Sequence, residues 1–250
     1  MEEHVSTSYA RIADRYEDVR GGAARAGALA DAVRPWLPPG RLLDVGAGTG
    51  IVTAGLARPD VSLVACDLSV EMLARAAARL PGRVVVADAV ALPVPDGVLD
   101  AVTYVWVLHH VGDARACLAE AWRALRPGGR VVSVAGLPLP VDDDLAPSFD
   151  ALVDVLRPGH RERAAAAGPI GVELGFRALH EGAVTVALDV TPNGLADAIE
   201  QRLFSHLWDL PDERWRELVE PAVARLRALP GPDRPRRRPY RHPVVVLERP

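Results

Sequence analysis

Lysine is absent from this 250-residue chain, so its 29 basic Lys/Arg positions are all arginine. Without an ε-ammonium group a protein forms no lysine Schiff base and carries neither a P-loop lysine nor a kinase lysine. Cysteine is almost as scarce. The two present, Cys66 in an apolar run and Cys117 in a helical pattern, have no CxxC or histidine spacing around them and read as buried thiols rather than as a disulfide or a zinc site. No uninterrupted apolar run reaches the ~18 residues a spanning helix needs, and MEEHVSTSYARIADRYEDVR is acidic and polar where a secretory leader would be basic and then apolar. The expectation is a cytoplasmic protein with no membrane partner. A net charge of -4 and a pI near 6.0 also give no global attraction to nucleic acid. What is present, 49% hydrophobic and 25% charged residues, is enough for one substantial core with a smaller appended segment, and it favours small-molecule chemistry.

From residue 41 to 136, short Val/Leu/Ala runs alternate with longer helical patterns, the signature of right-handed βαβ units and a parallel sheet. Strands are expected at 41–46, 61–66, 83–87, 98–106 and 130–136. Ser69 and Asp113 are placed to cap the helices that carry Met72, Leu73, Ala76 and Leu80, and Leu118, Ala121, Trp122 and Leu125. Arg-Pro-Gly-Gly at 126–129 is expected to stop the second helix and turn into a strand. After Gly136 the rhythm breaks at LPLPVDDDLAP. Alanine-rich helical sequence around 148–167, a strand near 183–190, a helix opened by Thr191-Pro192 and another around Trp215 to Leu226, restarted at Pro221, read as an insertion or lid. VVVLE reads as a last strand within a final segment, 236–250, and the preceding DRPRRRPYRHP as a solvated basic loop.

LLDVGAGTG, at 42–50, sits between the first strand and the first helix of this core. Gly46, Gly48 and Gly50 allow a sharp turn and a close approach of backbone to ligand. A dinucleotide fingerprint needs Gly or Ala where this chain has Ile51, which disfavours NAD and flavin. Asp67 ends the second strand, where a carboxylate can take both hydroxyls of a ribose, and Asp88 ends the third, where it can receive an exocyclic amine. With Asp44, three acids line the carboxyl edge of one sheet, the edge where open α/β sheets bind ligands.

SYARIADRYEDVR, LLDVGAGTG, VACDLSVEML, VADAVALPVPDGVLDAV, VLHHVGD and LRPGGRVV, in this order between Tyr9 and Val134, resemble the class I S-adenosylmethionine-dependent methyltransferases of the small-molecule, ubiquinone-biosynthesis-like group. The resemblance implies a single domain over 1–250, an α/β Rossmann-like, doubly wound, seven-stranded and mostly parallel sheet with a helical lid insertion. In that domain, cofactor-covering helices occupy 1–40, the cofactor core 41–136, the lid and acceptor region 137–235, and an antiparallel final strand 236–250. It also implies S-adenosyl-L-methionine as cofactor. Asp44 with Gly46, Ala47, Gly48 and Gly50 would hold its methionine moiety, Asp67 its ribose, Asp88 with Ala89 its adenine, and Leu68 and Met72 would complete the site. Tyr16 matches the tyrosine that closes over the cofactor, and Arg20 the arginine that reaches its carboxylate, although Gly21 and Gly22 stand where the family often has proline.

A sulfonium methyl is a strong electrophile, so holding an O, N or C nucleophile in line and excluding water is the main task. VLHHV puts His109 and His110 after the fourth strand, at the cofactor edge, and His109 is the candidate base. His160, His180 and His206 read as surface or packing residues of the lid. No grouping has metal-ligand spacing, and Asp142 to Asp144 read as an acidic loop. The apolar content of 137–235 suggests an apolar or aromatic small-molecule acceptor, with secondary metabolism as one setting. A methyltransferase-like protein that binds the cofactor without methylating, or that serves as a binding subunit, is the alternative.

Overall fold

The structure is a computed structural model and describes residues 22–250. Seven strands form one sheet in the order β3-β2-β1-β4-β5-β7-β6. They are β1 (Gly40–Val45), β2 (Val61–Asp67), β3 (Val84–Val86), β4 (Leu99–Val105), β5 (Leu125–Val134), β6 (Arg177–Val190) and β7 (Arg236–Glu248). β1 pairs in parallel with both β2 and β4, whereas β7 runs antiparallel to its neighbours β5 and β6. The order reverses between β1 and β4, so the loops leaving these two strands flank the crevice where such sheets bind ligands.

Alternation along each strand fills both faces. Leu42, Leu63, Ala101 and Val132 pack with Leu29, Leu56 and Val33, and Leu43, Cys66, Val102 and Val131 pack with Leu118, Ala121 and Phe176. The first of these faces is covered by α1 (Gly22–Val33) and α2 (Ile51–Leu56), with α3 (Val70–Arg79) beside α2 toward the β3 edge, and the second by α4 (Ala114–Ala124). Ser69 Oγ accepts from the Met72 amide and Asp113 Oδ1 from that of Ala116, so both expected caps are made.

A third core lies apart from the sheet. Leu145, Leu152, Ile199, Leu207, Val223 and Leu226 meet among α5 (Phe149–Leu156), α8 (Pro192–Glu200) and α9 (Glu220–Arg227), while α6 (His160–Ala165) and the sheet-packed α7 (Ala167–Glu173) lead into β6. Thr191 caps α8 through the Gly194 amide, and Pro221 sits in the first turn of α9 after a π-turn at Trp215–Val219.

The late strands differ from expectation. β5 starts at Leu125 rather than 130, because Arg126 to Gly129 form an irregularity inside the β4–β5 ladder, and it ends at Val134. β6 begins at Arg177, six residues before the expected start at 183, and β7 absorbs the basic run from Arg236 onward. Pro239 and Pro243 are tolerated there because β7 has outrun β5, which pairs only with Val244 to Glu248, so one edge of the strand needs no N–H.

Candidate active site

Gly46, Gly48 and Gly50 all adopt left-handed φ, +69°, +57° and +71°. A side chain at 46 would overlap Val107 of the loop after β4, and a Cβ at 50 would lie 3.0 Å from that of Ala76. The loop is tied down by Ala47 N–H to the Cys66 carbonyl (2.9 Å) and by Gly48 N–H to Asp67 Oδ2 (2.8 Å). Met72, buried beneath it, would lie 3.5 Å from a Cβ on Gly48. The Thr49 hydroxyl, buried in the same loop, has no hydrogen-bond partner among the described residues, which fits a loop built to receive a polar ligand.

The three acids differ in environment. Asp44 is 2% exposed, and its two oxygens accept from Thr103 on the adjacent strand and from Thr53 on α2, each at 2.5 Å. Burial pushes its carboxyl up to about 6, against the pull of both hydroxyls and with a further push from Asp67. Asp67 is half-buried rather than at a free strand end. Its oxygens take the amides of Gly48 and Ser69, and burial raises its carboxyl above the ordinary range while those N–H groups oppose the rise. Asp88 lies two residues beyond β3 in a turn closed by Val90 N–H on Oδ1 (3.1 Å). Leu68 is 47% exposed beside Asp67, and Ala89 is half-buried against the second core. The Cys66 thiol, buried beneath Asp44 and Asp67, is pushed up to about 12 and is inert.

His109 and His110, their rings 3.9 Å apart, face a cavity of about 530 Å³ between the sheet edge and the third core. The His109 ring lies against Gly136, where a Cβ would collide with it. Arg25 of α1, Tyr240 of β7, Phe149, Leu195, Phe204 and His206 also line it. The Arg25 guanidinium lies 4.2 Å over the Trp106 ring and 2.7 Å from His242 Nε2. Guanidinium has no acceptor, so Nε2 accepts and Nδ1 donates to the Ala135 carbonyl at 3.0 Å, which fixes the tautomer. Trp106 itself holds φ +63°, a strained conformation for a bulky residue, at the mouth of β4.

Sequence reasoning weighed Arg20 and passed over Arg25, Tyr240, His242, Thr103 and Gly136. The signal for Arg25 was its phase, since it shares the buried face of α1 with Leu29 and Val33. Tyr16, Arg20 and the side chain of His160 lie outside the described residues. His180 stacks on Trp36 at 4.5 Å, away from the cavity, whereas His206 lines it. The expected solvated basic loop is instead a clamp. Arg238, 2% exposed, pairs with Asp143 and Asp150 at 2.8 and 2.7 Å, and Arg236 pairs with Asp144, so the acidic and basic runs neutralise each other.

A sheet of this order, with a left-handed glycine turn after β1 and acids at its carboxyl edge, defines the Rossmann-like methyltransferase fold. Residues 43–133 match the family of methyltransferase domains. A demethylmenaquinone methyltransferase from Beutenbergia cavernae is 47% identical over 96 residues, 38% of this chain and 40% of the relative. A ubiquinone/menaquinone biosynthesis C-methyltransferase, UbiE, from Methylobacterium nodulans is 38% identical over 142 residues, 50% of this chain and 56% of the relative. The chain thus spans about half the length of the curated relatives it matches. In fold, it superposes on a candidate methyltransferase from Bacillus halodurans C-125 with a TM-score of 0.61 at 21% identity, covering 90% of this chain and 98% of the other.

Proposed function

We propose that the protein transfers the methyl group of S-adenosylmethionine to a small-molecule acceptor seated in the 530 Å³ cavity. The observation that carries this reading is the glycine loop clasped to Asp67 through Gly48 N–H and opening at the same sheet edge as His109. Bound there, the sulfonium supplies an electrophilic methyl. The protein's own part is to orient and to exclude water, and positioning alone can contribute about 7 to 11 kcal/mol.

Asp67 accepts from the amides of Gly48 and Ser69 and offers its remaining lone-pair capacity to the ribose hydroxyls. Asp88 has Oδ2 left for the exocyclic amine, with Ala89 beside it, and the exposed face of Leu68 covers the adenine. Asp44 places a buried negative charge under Gly46 to Gly50, toward the ammonium of the methionine moiety, while Ala47 and Met72 fix the loop. Tyr16 and Arg20 close over the cofactor and its carboxylate. Residues 137–235 act as a lid that shapes the acceptor pocket, and His109, its ring seated on Gly136, takes the acceptor's proton.

The test is methyl-labelled S-adenosylmethionine incubated with the protein and a metabolite extract, followed by identification of the labelled product. His109→Ala should keep cofactor affinity and slow single-turnover transfer by about 10²-fold. A protein that binds the cofactor while no label leaves it would be the non-methylating alternative.

A further inference from the structure

Resting on the proposed methyl transfer, we infer that Tyr240 sets acceptor specificity: its hydroxyl donates a hydrogen bond to an uncharged oxygen, a carbonyl or an ether, carried on the acceptor's apolar body. Tyr240, half-buried on β7, lines the cavity together with Phe149 and Phe204. Behind this wall stands Arg238, which is 2% exposed and does not reach the cavity itself. Its Nε pairs with Asp143 at 2.8 Å and its Nη2 with Asp150 at 2.7 Å, while Nη1 is buried without a hydrogen-bond partner among the described residues. The guanidinium carbon lies 5.3 Å from the centre of the Tyr240 ring and 5.9 Å from that of Phe149, so Arg238 backs two of the rings that face the acceptor.

A guanidinium only donates, so it can meet the Tyr240 oxygen only as an acceptor, and the phenolic proton is left for a third group. Burial raises the Tyr240 phenol above its ordinary value while Arg238 beside it opposes the rise, so the hydroxyl stays protonated and is polarised as a donor. Asp150, the carboxylate on the same wall, is engaged by Arg238 through Oδ2. A carbonyl or ether oxygen in the cavity completes a chain from Arg238 through the phenol to the acceptor, each bond strengthening the next. A hydrocarbon in the same place would leave the hydroxyl desolvated and unpaired. The Phe149 and Phe204 rings, 5.0 Å apart, give the body of the acceptor an apolar wall.

The experiment is equilibrium dialysis on the full chain, with and without saturating S-adenosylhomocysteine, using 2-acetylnaphthalene and its isostere 2-isopropenylnaphthalene, in which a methylene replaces the carbonyl oxygen. The alkene is the more hydrophobic probe, so a cavity without a donor would favour it. The wild-type protein should bind the ketone at least as tightly as the alkene. Tyr240→Phe should weaken the ketone by about five- to tenfold and leave the alkene within about twofold. Retained alkene binding also shows that the variant is folded, and the wild-type comparison stands even where it is not. A wild-type preference for the alkene, no binding of the ketone, or a Tyr240→Phe protein that loses both probes equally or binds the ketone as before would each overturn the inference. Retention of S-adenosylhomocysteine in the same cells reports on the donor site, so a failure of the methyl-transfer reading is seen separately from a failure of the Tyr240 assignment.

Discussion

Asp44→Asn should make the cofactor-free protein more stable while weakening its grip on the cofactor. Burial lifts the Asp44 carboxyl from 3.8 to about 6. For an acid whose folded value is raised, the folded state holds a proton that the unfolded state has already lost between these two values, so stability falls as pH rises through the window and the full cost is present above it. A shift of about two units corresponds to about 3 kcal/mol at pH 8, and to roughly half of that at pH 5. Asparagine removes the charge and keeps the shape, but one of the hydroxyls of Thr53 and Thr103 must turn to accept from the new amide, which returns about 1 kcal/mol. The variant should therefore gain about 2 kcal/mol at pH 8, seen as a melting temperature higher by roughly 4 to 8 °C, and most of this gain should vanish at pH 5. Thermal and urea unfolding at the two pH values, with S-adenosylhomocysteine titrations alongside, measure it. A variant less stable than wild type at pH 8, by an amount independent of pH, would show that the Asp44 charge is not a cost to the fold and refute the reasoning.

Gly136→Ala puts a methyl where the His109 ring now lies; with the base displaced, single-turnover methyl transfer should slow by about tenfold or more while cofactor affinity holds within twofold. Arg238→Met strips the shared partner from Asp143 and Asp150 and should cost about 3 kcal/mol in urea unfolding, because two partly buried carboxylates are left facing each other.

The glycine turn, the three acids and both helix caps were legible in the sequence because each is a local matter: a residue type at a fixed distance from a strand end or a helix start. The antiparallel last strand came with the family resemblance. What escaped depends on register and on contacts between distant segments. Nothing near Thr103 in sequence says that it pairs with Asp44 across β1 and β4, or that this pairing turns Asp44 inward. Arg236 and Arg238 carry the composition of a solvated loop and lie in a strand where Asp143, Asp144 and Asp150, some ninety residues earlier, neutralise them. Gly136 looked like a simple strand end, and its role as the seat of His109 exists only once β4 and β5 lie side by side. Arg25, Tyr240 and His242 come from two ends of the chain and meet only over Trp106.

The most direct measurement of the central claim is calorimetric titration of the purified chain with S-adenosylhomocysteine and with NAD, repeated on Asp67→Ala, which removes both the expected ribose contact and the clasp on Gly48. The account predicts micromolar binding of the sulfur compound, on the order of -8 kcal/mol at 1 µM, no heat with NAD, and a loss of roughly 2 to 4 kcal/mol in the variant. Equal affinity for NAD, or an Asp67→Ala protein that binds S-adenosylhomocysteine as tightly as the wild type, would contradict it.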